Sequence, residues 1–150
     1  MKSRNGTYIN LVLIILSAFL LLSSCGLGDW NYKLSNGYEI WRVNSQKIIL
    51  VKTDDDITGE TVIDSYITSF CYNERYVGIK RIPIDDDVEN FNFEKIDIEK
   101  ATQYYYLFDT SNEIVYGPYD SSEYEKKISS FEIEKMCDWI NTVPKPEKAE

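Results

Sequence analysis

Any chemistry this chain performs must be done with 25 carboxylates and no histidine. Without imidazole there is no Ser–His–Asp or Cys–His nucleophile pair and no histidine-based zinc site. No GxxxxGK[ST] or GxGxxG loop is present to cradle phosphates. Cys71 and Cys137 form no CxxC pair for dithiol exchange. Asp54-Asp55-Asp56-Ile57-Thr58-Gly59 opens like a calcium loop, with oxygen ligands at Asp54, Asp56 and Thr58 and a glycine next. The position that needs a bidentate glutamate is Ser65, and the flanks read as strands, so a solvated turn between strands is the better reading. Asp85-Asp86-Asp87 with Glu89 reads the same way. Two carboxylates at a fixed separation run glycoside hydrolysis, but a chain this acidic offers such pairs everywhere and singles out none. The expectation is no catalytic residue, no metal and no cofactor.

Aromatics are the enriched class. Trp30, Tyr32, Tyr38 and Trp41 come early, and Tyr104-Tyr105-Tyr106 with Tyr116 and Tyr119 come later. Most such residues fill sheets because they pack well there. Consecutive tyrosines point to alternate faces of a strand. Some of Tyr104, Tyr105 and Tyr106 therefore lie off the core and are a possible contact surface.

The third cysteine carries different chemistry. Lys2 and Arg4 precede an apolar run from Leu11 to Leu22, and Leu22-Ser23-Ser24-Cys25 follows. This resembles the lipobox of bacterial lipoproteins, which implies cleavage between Ser24 and Cys25 and lipidation of the Cys25 thiol. The apolar run reaches roughly 18 Å as a helix, short of a ~30 Å hydrocarbon core. It reads as a signal peptide rather than an anchor helix. The expected location is extracytoplasmic, tethered to a membrane by lipid. Two or three acyl chains hold far better than one.

Removing residues 1–24 takes two basic residues and no acid, so the net charge falls from −9 to −11. That balance opposes nucleic acid, which needs a basic face. The rest is long enough for one domain. Gly26-Leu27-Gly28-Asp29 is a very short tether. The expected division is signal peptide 1–24, lipidated cysteine and tether 25–31, a β-rich domain 32–143 and a polar tail 144–150.

Three hairpins are legible. Tyr38–Val43 and Lys47–Lys52 flank Asn44-Ser45-Gln46; Val62–Tyr72 and Tyr76–Ile82 flank Asn73-Glu74-Arg75; Gln103–Asp109 and Glu113–Tyr116 flank Thr110-Ser111-Asn112. An acidic loop runs from Pro83 to Thr102, and Gly117-Pro118 is read as the end of the sheet. Asp120-Ser121-Ser122 caps a helix, with Ser122 and Glu125 at capping-box spacing and an apolar face of Tyr124, Ile128 and Phe131. Ile133, Met136, Cys137 and Ile140 suggest a second helix to about Asn141. The expected fold is α+β, mostly β: an antiparallel meander sheet of about six strands with C-terminal helices packed on one face.

Cys71 and Cys137 admit a disulfide or two buried thiols. Tyr66, Phe70 and Tyr72 make the more apolar face of their strand. A helix on that face keeps Cys137 from Cys71, so two free thiols are expected.

Cys25-Gly-Leu-Gly-Asp-Trp30, Gly37-Tyr38, Asn73-Glu74-Arg75-Tyr76-Val77, and Tyr106-Leu-Phe-Asp109 with Val115-Tyr116-Gly117-Pro118 together resemble a family of small bacterial lipoproteins. That family carries only a domain-of-unknown-function label. The resemblance implies a lipoprotein with a small β-rich domain and brings no activity, cofactor or catalytic residue with it. The role expected is a non-catalytic module binding an envelope protein or cell-wall ligand through a sheet face or the Pro83–Thr102 loop. The rival is a small envelope enzyme using carboxylates, with or without a divalent cation.

Overall fold

The computed structural model of the chain describes residues 29–53, 59–83, 97–98, 100–131, 133 and 138–147. Strands β1 (Trp30–Lys33), β2 (Tyr38–Asn44), β3 (Lys47–Lys52) and β4 (Glu60–Ile63) form one antiparallel sheet in that order. Strands β5 (Ile67–Tyr72), β6 (Tyr76–Arg81), β7 (Tyr104–Asp109), β8 (Ile114–Tyr119) and β9 (Ile140–Asn141) form a second, ordered β8-β7-β6-β5-β9. One helix, α1 (Ser121–Ser130), is found among the described residues.

Side-chain alternation explains the layering. Tyr38 and Ile40 of β2, Ile48 and Leu50 of β3, and Trp30 and Tyr32 of β1 project toward the second sheet. They meet Phe70 of β5, Val77 and Ile79 of β6 and Phe108 of β7 in one buried core. Tyr32 packs edge-on to Phe70, and Tyr38 edge-on to Phe108, each with ring centroids 4.9 Å apart. The opposite face of the second sheet carries Cys71, Tyr76 and Leu107, covered by Tyr124 of α1. A sheet buried on both faces needs near-continuous apolar strands, and β5 (ITSFCY) is buried at every position but its last.

The arrangement corrects the expected six-strand meander to two sheets with one described helix. The run Val62–Tyr72 is divided between β4 and β5, which lie in different sheets. Asp64 turns the chain there, its carboxylate accepting from the backbone N–H of Ser65 at 2.7 Å. β1 begins at Trp30 and so includes Trp30 and Asn31, which the sequence reading assigned to the tether. Gly117-Pro118 does not end the sheet, since β8 runs through it to Tyr119. β8 is an edge strand with a register shift opposite Tyr105–Leu107, where a proline is tolerated. Gly117 has φ +126°, and a Cβ there would lie 2.8 Å from the Tyr105 carbonyl oxygen.

Of the three residues read as capping the helix, Asp120 is the cap, two residues before the Ser122 of the expected box. Its side chain accepts from Glu123 N–H at 2.8 Å while the Glu123 carboxylate accepts from Asp120 N–H at 3.0 Å. Asp-x-x-Glu and Ser-x-x-Glu overlap here, and aspartate caps at least as well as serine. The second helix does not reach Asn141, because Ile140–Asn141 is strand β9 paired with Ser69 and Phe70. Pro146, in the expected polar tail, is buried.

The packing face is also corrected. Helix α1 lies on the Cys71 face, while Phe70 faces the first sheet. The aromatic face is a core face as expected, but the first sheet covers it instead of a helix. The face argument for separating the thiols therefore lapses, and Cys137 lies outside the described residues.

Candidate functional site

The first hairpin pairs Trp30 with Arg42 and Asn31 with Trp41. With Asp29 and Val43 these residues line an open cleft of about 360 Å³ where the chain enters the domain. Alternation along YEIWRVN puts Arg42 on the inward face with Tyr38 and Ile40, so a guanidinium ends an apolar stripe. Trp30 is 5% exposed. Its Nε1–H and the Nε–H of Arg42 are both buried and have no acceptor among the described residues. A buried donor left unsatisfied costs about 1–3 kcal/mol, so two together need an explanation. Tyr66 stands close by; burial pushes its phenol up, and the nearby Arg42 charge pulls the other way. On the outer face, Glu39 accepts from Trp41 Nε1 at 2.7 Å and from Asn31 Nδ2 at 2.8 Å. Those two bonds fix the position of the Trp41 indole.

The three consecutive tyrosines have three different surroundings. Tyr104 is 37% exposed. Tyr105 lies under the helix, with ring centroids 5.3 Å from Tyr124 and 6.1 Å from Trp139. The Lys80 ammonium sits 4.2 Å from the Trp139 ring centroid and 5.6 Å from that of Tyr105. Tyr106 packs on the core between the sheets, and its hydroxyl accepts from Arg81 Nη1 at 3.3 Å. Tyr104 pairs with Arg81, beside the Ile82–Tyr66 hydrogen bonds. It is thus at the same end of the sandwich as the cleft.

At the other end, three turns meet in a closed polar network. Asp109, 1% exposed, accepts from Arg75 Nη2 at 2.7 Å, Arg75 Nε at 3.1 Å, Asn112 Nδ2 at 2.9 Å and Ser111 N–H at 3.0 Å. Asn36, in the β1–β2 turn at φ 60°, donates to the Glu74 carbonyl at 2.8 Å and to Thr110 Oγ1 at 3.0 Å. Thr110 donates in turn to the Arg75 carbonyl at 2.7 Å. Lys52 forms an ion pair with Glu113, which also accepts from the Tyr38 hydroxyl at 3.3 Å. Residues of both sheets are held together.

The hydrogen bonds from Arg75 are the main reason the Asp109 carboxyl sits below the usual carboxylate range, against the opposing effect of burial. Lys52 lowers Glu113 in the same way. Both shifts make these carboxyls poorer proton donors near neutral pH, so the cluster joins elements rather than moving protons.

Cys25 and Ser24, the loop residues Asp54, Asp56 and Thr58, and Asp85–Asp87 with Glu89 lie outside the described residues. Among the described residues no group of three or more Cys, Asp or Glu side chains is arranged to hold a metal. Sequence reasoning missed Arg42, and named Trp30 only among the enriched aromatics. The available signal was an arginine at an inward position of an otherwise apolar alternation.

No curated protein and no solved structure matches this chain. The profile of a family described as "Protein of unknown function (DUF3997)" matches residues 35–141. The match includes Gly37-Tyr38, Asn73–Val77, Tyr106–Asp109 and Val115–Pro118 of the resemblance noted in the sequence, and it does not include Cys25–Trp30. The chain belongs to the DUF3997 family.

Proposed function

We propose that this is a bacterial lipoprotein, held outside the cytoplasm by lipid on Cys25, that works as a non-catalytic binding module. The lipobox Leu22-Ser23-Ser24-Cys25 and the apolar run before it support the anchor. The observation that carries the binding role is the pair of buried donors, Trp30 Nε1–H and Arg42 Nε–H, which meet no acceptor among the described residues and lie beside an open cleft. Selection removes such deficits from a purely structural surface, whereas a binding surface fills them with ligand. Nearby, Val43 is 42% and Tyr104 37% exposed, which adds apolar contact area at that end.

The anchor is tested by intact mass and detergent partitioning of the full chain beside Cys25→Ala. The expected result is an acylated, membrane-bound wild type and a variant that is unacylated. A variant as firmly bound and as acylated as wild type contradicts the anchor. The binding role is tested by crosslinking in intact cells, comparing wild type with Arg42→Gln. A crosslinked species lost in the variant supports the role, and identical patterns refute it.

A further inference from the structure

The cleft lies close to the proposed anchor along the chain. Asp29 follows Cys25 by four residues. At no more than ~3.6 Å per residue, its Cα lies within about 14 Å of the acylated cysteine. Asp29 itself lines the cleft with Trp30, Trp41, Arg42 and Val43. A domain tethered so closely cannot lift this end far from the headgroups, where phosphate oxygens are the most abundant hydrogen-bond acceptors.

We infer that the Asp29–Val43 cleft is a membrane-contact site that seats a zwitterionic phospholipid headgroup, with its phosphate on Arg42 and Trp30. This deepens the lipoprotein reading and rests on it. Guanidinium is the side chain best suited to phosphate, because its planar fork presents several donors. An indole N–H is a donor only, and tryptophan favours the headgroup layer, where its ring is half apolar and its N–H finds an acceptor. Asp29, exposed on the rim, supplies a carboxylate for the headgroup ammonium. The Trp41 indole and the exposed Val43 extend an apolar surface toward the interface. Charge favours a zwitterionic lipid over an anionic one: the cleft carries one acid and one base in a chain whose net charge is −11 once residues 1–24 are removed. Neither donor is open to water in the free chain, so a headgroup satisfies them by parting the Trp30 and Arg42 side chains.

The test uses the full acylated chain in nanodiscs, labelled with ¹⁵N at its 3 tryptophans. In phosphatidylcholine discs the Trp30 indole N–H resonance should move downfield relative to discs of digalactosyl diacylglycerol, a lipid with no phosphate. Arg42→Gln should abolish the difference. Swapping the lipid needs no variant, so a folding defect in Arg42→Gln does not block the experiment. An identical Trp30 resonance in both lipids overturns the inference. So does a full shift in galactolipid discs on adding millimolar inorganic phosphate, which makes the cleft a soluble-anion site. A wild-type chain that its host leaves unacylated, and that fails to stay with the discs, refutes the lipoprotein reading itself; an acylated, retained chain with an unmoved indole refutes only the headgroup contact.

Discussion

The two ends of the sandwich treat buried polar groups in opposite ways. At the turn end, the Asp109 carboxylate is saturated by Arg75, Asn112 and Ser111, and Asn36 stitches one sheet to the other. At the tether end, Trp30 and Arg42 bury donors that meet no acceptor among the described residues. The first arrangement stabilises the free protein. The second gives up stability in the free protein, and that is reasonable only if something outside the domain restores it. Under the proposed function, the difference gives stability to one end and contact to the other.

The largest expected effect comes from breaking the saturated end. Asp109→Ala leaves Arg75, Asn112 and Ser111 without their shared acceptor and should cost about 2–3 kcal/mol in urea unfolding, because Arg75 is half exposed and regains water. A loss below about 1 kcal/mol would mean that the turns are joined by other contacts.

Acid should act through the same carboxylate. The pKa of Asp109 is lowered in the folded state, so its contribution is present at neutral pH and up from the ordinary carboxylate range. It is lost as pH falls through the lowered folded value. Stability measured from neutral pH downward should therefore decline less steeply in Asp109→Asn than in wild type. Equal slopes would remove Asp109 from the acid limb.

Next in size is Asn36→Ala, which removes two hydrogen bonds between turns and should cost about 1–2 kcal/mol in the same assay. Arg42→Gln at the tether end should leave stability unchanged or raise it by up to about 1 kcal/mol, because it removes a buried donor that meets no acceptor among the described residues. A loss as large as that of Asp109→Ala would make the two ends equivalent. The smallest expected effect is that of EDTA, which should leave the melting temperature unchanged. A clear fall would place a metal in the fold.

Much of this was legible from residue order, and the failures have particular causes. β3 falls on Lys47–Lys52 as read, and β2 runs one residue past its expected end, because a polar turn bounds each of them. Asn73 opens the β5–β6 turn as expected, its side chain accepting from the N–H groups of Arg75 and Tyr76. The division between β4 and β5 was hidden because Asp64-Ser65 is a brief polar interruption in a long apolar run. The helix face was misjudged because β5 is buried on both sides: comparing the apolarity of its faces shows which is aromatic and not which element covers it. The Arg75–Asp109 pair was hidden because its partners lie 34 residues apart. The cleft was hidden because Trp30 and Asn31 were assigned to the tether, so that Arg42 was paired only with the strand that follows it and not with Trp30.

The central claim is that the tether end faces the membrane and the turn end faces away. It is tested most directly by adding a headgroup spin-labelled lipid to nanodiscs bearing the acylated full chain and recording amide signal loss. The account predicts strong broadening at Val43, Asn44 and Lys47, with Glu74, Asn112 and Glu113 nearly unaffected. Equal broadening at the two ends, or stronger broadening at Glu74 and Asn112, would contradict it.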